Sequence, residues 1–340
     1  MSASFRNFLI TRILLTIPMV LILATLVFFV MRVLPGDPIN STLGPRVSEE
    51  QRERFRQELG LDQPIMVQYV NFLWDMVRLD FGNSMIGGNR PIRDELAEVF
   101  PATVELTVPA MLFTALFGVL SGAVAAQHRK KVLDYGLRLF SIAIYSVPIF
   151  WLGLMLIILF SVVLNVTPVA GRMDAQIGLT LERHTNLLIV DSIITGNWAA
   201  LGSALHHLIL PSVTLGLALC GVFIRLTRVN MIETLQEDYI TAGRARGLPE
   251  RTLVYRHALR NTFIPILTLI GLQFAILLAG AVLTETTFSW PGMGRYLVER
   301  IELRDYAAVQ AVITVFALLV ALITMVMDIL YAFVDPRIRY

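Results

Sequence analysis

Residues 139–164 read LFSIAIYSVPIFWLGLMLIILFSVVL, 26 residues without a single charged side chain, and the uncharged run continues to Gly171. A bilayer's hydrocarbon layer is crossed by about 20 apolar residues wound as helix, because nothing inside it satisfies free backbone groups. This stretch is long enough to cross, with Pro148 as the expected kink and Asn165-Val-Thr-Pro168 as the expected exit. Working outward along the chain, five further uncharged stretches qualify or nearly do: Ile13–Met31, Leu106–Ala126, Leu205–Ile224, Thr262–Thr284 and Tyr306–Met327. The weakest is Leu205–Ile224, with His206 and His207 at its entrance and Pro211 close behind. The alternating ten-residue segments of a barrel are absent. The expected fold is an all-α polytopic membrane protein with six transmembrane helices.

Composition points the same way. The chain is 56% hydrophobic and 16% charged, where a soluble domain carries about a quarter charged residues. Its one cysteine, Cys220, excludes an internal disulfide, and its place in an apolar run reads as a small buried side chain. No Cys/His spacing suggests a metal site. At the start, Arg6 and Arg12 precede an uncharged run longer than a usual signal core, with no A-x-A-like cleavage site behind it. Residues 13–31 are therefore expected as a retained first span.

Orientation follows from basic residues in short loops. With the N-terminus inside, 15 of the 28 Lys and Arg fall on inner segments, among them Arg129, Lys130, Lys131, Arg244, Arg246, Arg251, Arg256 and Arg260. Eight of the rest lie in the long 32–93 segment, which is largely exempt from the rule, and five in shorter outer loops. Both termini are expected to be cytoplasmic. The chain divides into residues 1–33 (an inner segment and the first span), an extracytoplasmic helical domain over 34–100, a five-helix core over 101–334 including an inner loop at 230–261, and a tail over 335–340. In the outer domain Ser48-Glu-Glu-Gln51 resembles a capping box, Gly60 closes the helix it opens, and a second helix follows Pro64 with Ile65, Tyr69, Phe72 and Met76 on one face. That domain reads equally as a docking or lid element and as a cap packed over the bundle. Leu187–Leu201, apolar but interrupted by Asp191 and Gly196, is expected as an interfacial or re-entrant helix rather than a seventh span.

The inner loop between the fourth and fifth spans reads Glu237-Asp-Tyr-Ile-Thr-Ala-Gly-Arg-Ala-Arg-Gly247-Leu-Pro249 and continues to Arg256-His-Ala-Leu-Arg-Asn261. It predicts a polar helix, a break at Gly247-Leu-Pro249 and a second, basic helix returning to lipid. Gly247 tolerates a positive φ, and Pro249 suits the first turn of the helix that follows. Physics alone leaves two readings open: a helix-turn-helix shaped for a groove on a cytoplasmic partner, or a basic loop anchoring two spans against anionic lipid.

This loop resembles the EAA loop of ATP-binding-cassette (ABC) importer permeases, in the form found in the dipeptide/oligopeptide/nickel family. The residues carrying the resemblance are Asp238-Tyr-Ile, Arg244-Ala-Arg-Gly-Leu248, His257-Ala-Leu-Arg-Asn261 and Pro265. Thr241-Ala-Gly243 stands at the name-giving positions, so the glutamate is missing. Val33-Leu-Pro-Gly-Asp-Pro38, His207-Leu-Ile-Leu-Pro211, Leu283 to Gly294, Arg304-Asp-Tyr306 and Asp335-Pro-Arg337 also resemble family signatures in the expected order, and the first of these is closer to the "B" permease than to its "C" partner. The resemblance implies a type I importer permease fold and a heterodimer with a second homologous permease. It further implies two cytoplasmic ATP-binding subunits, which use ATP and Mg, and an extracytoplasmic solute-binding protein. On this basis Tyr239, Ala242, Gly243, Arg246, Gly247 and Leu248 are the expected coupling contacts, with Arg260 and Asn261 bracing the loop. Glu285, Trp290, Pro291 and Gly292 form a candidate outer gate, or else a rigid turn joining span five to a short surface helix.

Other chemistry is poorly supported. A phosphate-cradling loop ends in Gly-Lys-Ser/Thr, yet the only lysines are Lys130 and Lys131. The chain itself is expected to bind no cofactor, and no nucleic-acid partner is expected. An ion-coupled transporter usually carries an ionisable residue near mid-membrane. Here Arg225, Glu285 and Asp328 sit at span ends and read as interface anchors. An intramembrane enzyme would need a metal or nucleophile motif, and adjacent His206 and His207 point to different helix faces. Short peptides are the expected solute, with nickel chelates, glutathione and sugars as alternatives.

Overall fold

A computed structural model describes residues 3–33, 48–58, 60–84, 90–278 and 281–334. The core is a pair of long helices, α4 (Ile92–Gln127) and α9 (Trp198–Thr234). At 1.5 Å per residue they run roughly 54 and 56 Å, well beyond the hydrocarbon thickness of about 30 Å. They approach closely because α4 is small along one stripe: Ala110, Thr114, Gly118 and Gly122 recur every fourth residue. A Cβ on Gly118 would stand 2.5 Å from that of Phe223, and one on Gly122 would stand 2.6 Å from that of Thr227. Thr114 Oγ1 donates across the seam to Gly216 O at 3.0 Å. Small residues and a hydroxyl at the seam are what pack helices together where lipid removes the hydrophobic driving force. Cys220 lies fully buried on α9, as expected.

α11 (Glu250–Leu278) packs on both members of this pair, α14 (Tyr306–Val334) packs chiefly on α11, and α1 (Ala3–Val33) packs on α14. Arg12 on α1 pairs with Asp328 on α14 at 3.0 Å, so Asp328 has a protein partner instead of acting only as an interface anchor. Among the described residues five helices are long and apolar enough to cross a membrane, or six when one bent pair counts as a span. That pair is the stretch quoted at the outset. α5 (Val132–Ser146) and α6 (Ile149–Val163) meet at 104°, a break far sharper than the expected kink. Pro148 lacks an N–H to continue the helix and drives the preceding residue out of helical geometry. Val147 accordingly sits at φ −84, ψ 127.

Leu187–Leu201 is a second correction, because it is not one helix. It divides into α8 (Leu188–Ile194) and the first turn of α9, whose start is capped by the Asn197 side chain accepting from Ala200 N at 3.0 Å. A polar cap inside an apolar run restarts the helix in a new direction. The remaining short elements are α7 (Ala175–Gly178), α10 (Asp238–Ala245), α12 (Val282–Thr287) and α13 (Met293–Glu302).

Beyond the first span, α2 (Glu49–Glu58) and α3 (Ile65–Arg78) occupy the expected positions. Tyr69 and Phe72 pack toward the end of α1, and Met76 on the same side is buried. Phe28 lies 5.5 Å from Phe72 between ring centroids, and the hydroxyls of Thr25 and Tyr69 meet at 2.6 Å. Ile65, expected on that face, is instead exposed. Leu34–Pro38 of the first signature, the terminal Asp335-Pro-Arg337 and the 335–340 tail lie outside the described residues.

Candidate functional site

The inner loop forms an elbow. α10 follows α9 after a three-residue turn and ends where Gly247 N donates to Arg244 O at 3.0 Å and Leu248 N to Gly243 O at 3.2 Å. Gly247 holds φ +78, a left-handed geometry that costs an L residue roughly 1–2 kcal/mol. Pro249 is extended and precedes the first turn of α11 instead of occupying it. One side of the elbow is fastened inward. Ile240, Val254 and Ala258 pack with Met231 of α9 and with Ala123 and Ala126 at the end of α4. The other side presents Tyr239, Ala242, Arg246, Gly247 and Leu248, all exposed.

Gly243 faces inward, and a Cβ there would stand 2.8 Å from Leu253 Cδ2. It therefore shapes the elbow from beneath by letting α11 approach α10. An Arg244–Glu250 ion pair spans the break. Asn261 Nδ2 donates to Tyr239 Oη at 2.7 Å, joining the two helices on their exposed side. Arg260, assigned the same bracing role from the sequence, is exposed and makes no hydrogen bond or ion pair among the described residues. Of the buried anchors, Ile240 was quoted only as part of the Asp238-Tyr-Ile motif, and Leu253 and Val254 went unnamed in the sequence. Apolar residues three to four apart in an otherwise polar loop, such as Val254 and Ala258, are the pattern that betrays them.

The outer turn between α12 and α13 is built oppositely. The Glu285 side chain is completely buried. Its Oε1 accepts from Thr103 Oγ1 at 2.8 Å and its Oε2 from Arg295 N at 2.9 Å. Glu285 is thus no interface anchor. α12 lies outside the candidate spans, and burial raises the Glu285 pKa against the opposing pull of the Arg295 and Gly294 amides and the Thr103 hydroxyl. Trp290, also buried, donates Nε1 to Ala102 O at 2.7 Å, and Met293 N donates to Thr103 Oγ1 at 2.8 Å. A Cβ on Gly292 would overlap the Glu285 carboxylate, 2.2 Å from Oε1. Of the four candidate gate residues only Pro291 is exposed. Next to this turn Arg172 stands 5.7 Å from the Trp290 ring and pairs with buried Glu105, which also accepts from Ile189 N at 2.7 Å. Thr103, Glu105 and Arg172 were not singled out in the sequence, because their partners lie far away along the chain.

His206 and His207 do separate, as expected. The first reaches Val166 O at 2.7 Å, and the second is buried with Nδ1 2.8 Å from Ser203 O.

Several bilayer-length apolar helices packed about a tight helix pair, with a helical elbow at one end, define a multi-pass membrane protein. Residues 118–340 match the binding-protein-dependent transport system inner membrane component family, and residues 5–107 match its N-terminal membrane component. The chain belongs to this family of permeases. It is 42% identical over 335 residues to the di/tripeptide transport system permease protein DppB of Pseudomonas aeruginosa (strain UCBPP-PA14), covering 98% of this chain and 99% of that one. It is 40% identical over 336 residues to the dipeptide transport system permease protein DppB of Escherichia coli (strain K12), and 39% identical over 334 residues to the glutathione transport system permease protein GsiC of the same strain. Both alignments cover 98% of this chain and 99% of the relative. Among solved structures, an inward-facing MetNI methionine ABC transporter matches with a TM-score of 0.51 and 14% identity, over 71% of this chain and 96% of that one, a likeness of fold alone.

Proposed function

We propose that this chain pairs with a second, different permease to form the pathway of an ATP-driven importer for short peptides. Two cytoplasmic ATP-binding subunits drive it, and an extracytoplasmic binding protein supplies the solute. The observation carrying this reading is the elbow: a helix pair fastened on its inner side to α4 and α9 and bare on its outer side at Tyr239, Ala242, Arg246, Gly247 and Leu248. Such a surface fits a groove in a partner, and a push there reaches the bundle through the buried Ile240–Met231 contacts. ATP then shifts the population between two packings of one bundle. Gly243 and Asn261 hold the elbow's shape, and Arg260 faces the membrane boundary. In this reading the outer turn of Glu285, Trp290, Pro291 and Gly292 is the fixed frame of the outer gate, since its buried donors and acceptors are satisfied internally.

The full-length relatives carry di- and tripeptides, dipeptides and glutathione by name, and all of these are short peptides. This favours peptides over nickel chelates or sugars. In this reading both termini and the elbow lie in the cytoplasm, as the distribution of basic residues suggests. The test is purification of the chain from its own membranes, together with uptake of labelled dipeptides by cells with and without it. A co-eluting ATPase and chain-dependent uptake support the importer; absence of the ATPase returns an ion-coupled transporter to consideration. Side is tested with Ala242→Cys in a Cys220→Ala background: labelling by an impermeant thiol reagent in intact cells would place the elbow outside and end the reading.

A further inference from the structure

α3 carries more apolar surface than a helix in water can hide. At about 100° per residue, twelve of its fourteen residues, all but the terminal Ile65 and Arg78, sort into three arcs. Tyr69 and Phe72 pack against α1, and Met76 on the same side is buried. Gln68, Asn71 and Asp75 turn toward a cavity of about 360 Å³ shared with Arg32, Asp80 and Gln310. The third arc, Met66, Val67, Val70, Leu73, Trp74 and Val77, holds no polar side chain. It faces away from the protein, with Met66 66%, Val70 61%, Trp74 56% and Val77 73% exposed. A helix in water hides its apolar arc and shows its polar one. α3 hides one apolar arc and leaves a second one exposed beside its polar residues.

We infer that this arc is seated in the membrane's interfacial layer, making α3 a horizontal anchor in the leaflet where α1 ends. Three observations commit the occupant to lipid. The apolar arc continues the outward surface of α1, where Ile22, Leu26, Phe29 and Val30 are exposed on a helix of bilayer-crossing hydropathy. Phe29 fixes α3 beside that surface by stacking on Tyr69, on the inner arc, at 6.1 Å. Finally, Arg78 lies 4.5 Å over the Trp74 ring at the helix end. A Trp beside a cation is the pairing favoured at the headgroup level, where the ring sits among glycerol groups and the charge reaches phosphate and water. This arc offers only aliphatic side chains and one indole.

The inference does not depend on which solute is carried or on what drives transport. Trp74 supplies the probe. The chain, purified with its bound subunits, is placed in phospholipid nanodiscs with Trp151→Phe and Trp198→Phe, leaving Trp74 and the buried Trp290. Subtracting the same chain with Trp74→Phe isolates the Trp74 emission. Phospholipids carrying a nitroxide or bromine high on the acyl chain should remove most of that emission, while iodide in the water should remove little. Quenching by iodide and not by the labelled lipids would put the arc in water and overturn the inference. Protection from both would mean that a protein subunit covers it, and would overturn it equally. Should the substituted chain not assemble, the difference between the native chain and Trp74→Phe gives the same readout.

Discussion

Two turns in this chain share a vocabulary of glycine and proline, Gly247-Leu-Pro249 on the elbow and Trp290-Pro-Gly-Met-Gly294 in the outer turn, and they use it for opposite ends. Gly247 is exposed, and a Cβ there would meet nothing within 4 Å; what demands glycine is the backbone at φ +78. Gly292 has an unremarkable φ of −98, and what demands glycine is space, because the Glu285 carboxylate fills the position of its missing Cβ. Only the second turn is closed over a buried charge. A glycine needed for conformation marks a shaped surface, whereas one needed for space marks a locked interior. The two should therefore fail differently when substituted.

The largest effect belongs to Gly292→Ala. A methyl group 2.2 Å from a buried carboxylate oxygen forces the outer turn apart, at the upper end of overpacking costs, about 3 kcal/mol. The expected outcome is a sharp loss of assembled protein and a lowered unfolding temperature in detergent. An unfolding temperature equal to the native one would mean the turn is soft, and the contrast with the elbow would dissolve.

Next comes the pH dependence of Glu285. Burial raises its folded-state pKa above the ordinary carboxylate value, so the folded chain holds this proton more tightly than the unfolded chain does. Stability from this group is then full below the ordinary carboxylate range and is lost as pH rises through the raised pKa. Glu285→Gln removes the titration. The unfolding temperature of the native chain minus that of the variant should fall between acidic and neutral pH. A difference that is flat, or that rises with pH, would contradict the buried placement.

Gly247→Val tests the other turn. Placing a β-branched residue at a left-handed position costs roughly 1–2 kcal/mol, with no clash to add. The chain should insert in near-normal amount, yet ATP hydrolysis by its partners should continue without solute uptake. Gly247→Asn, which tolerates the left-handed region, should transport. Normal uptake by the valine variant would defeat the coupling assignment.

What the sequence disclosed and what it hid follow from the range of the forces involved. The long uncharged runs disclosed the spans, because lipid imposes a length rule that any single segment obeys on its own. The elbow's break was equally local, written in Gly247 and Pro249. Hidden were features set by distant partners. Glu285 looked like an anchor at a span end because Thr103, 182 residues away, is invisible in its neighbourhood. Asp328 gave no sign of Arg12. The 104° break at Pro148 was underestimated because proline announces an interruption but not its angle, which the packing on either side decides. Within the elbow the exposed residues were legible as a motif, while Gly243's inward position depends on where Leu253 comes to rest.

The smallest expected effect on stability, and the sharpest on mechanism, comes from Tyr239→Phe. Only a hydroxyl is lost, and with it the 2.7 Å bond from Asn261. Both residues are exposed, so water replaces the lost partner and the unfolding free energy should change by no more than about 0.5 kcal/mol. If the elbow transmits force as one rigid piece, that bond matters for another reason: it fixes the angle between α10 and α11 on the side where a partner pushes. Solute moved per ATP hydrolysed should then drop while the unfolding temperature stays put. Asn261→Ala should produce the same drop, and the double variant should be no worse than either single one, because both remove the same link. A loop that merely anchors two spans to lipid predicts no change in that ratio. Two additive losses would show that Tyr239 and Asn261 act on separate contacts, and the elbow would then be two independent surfaces rather than one lever.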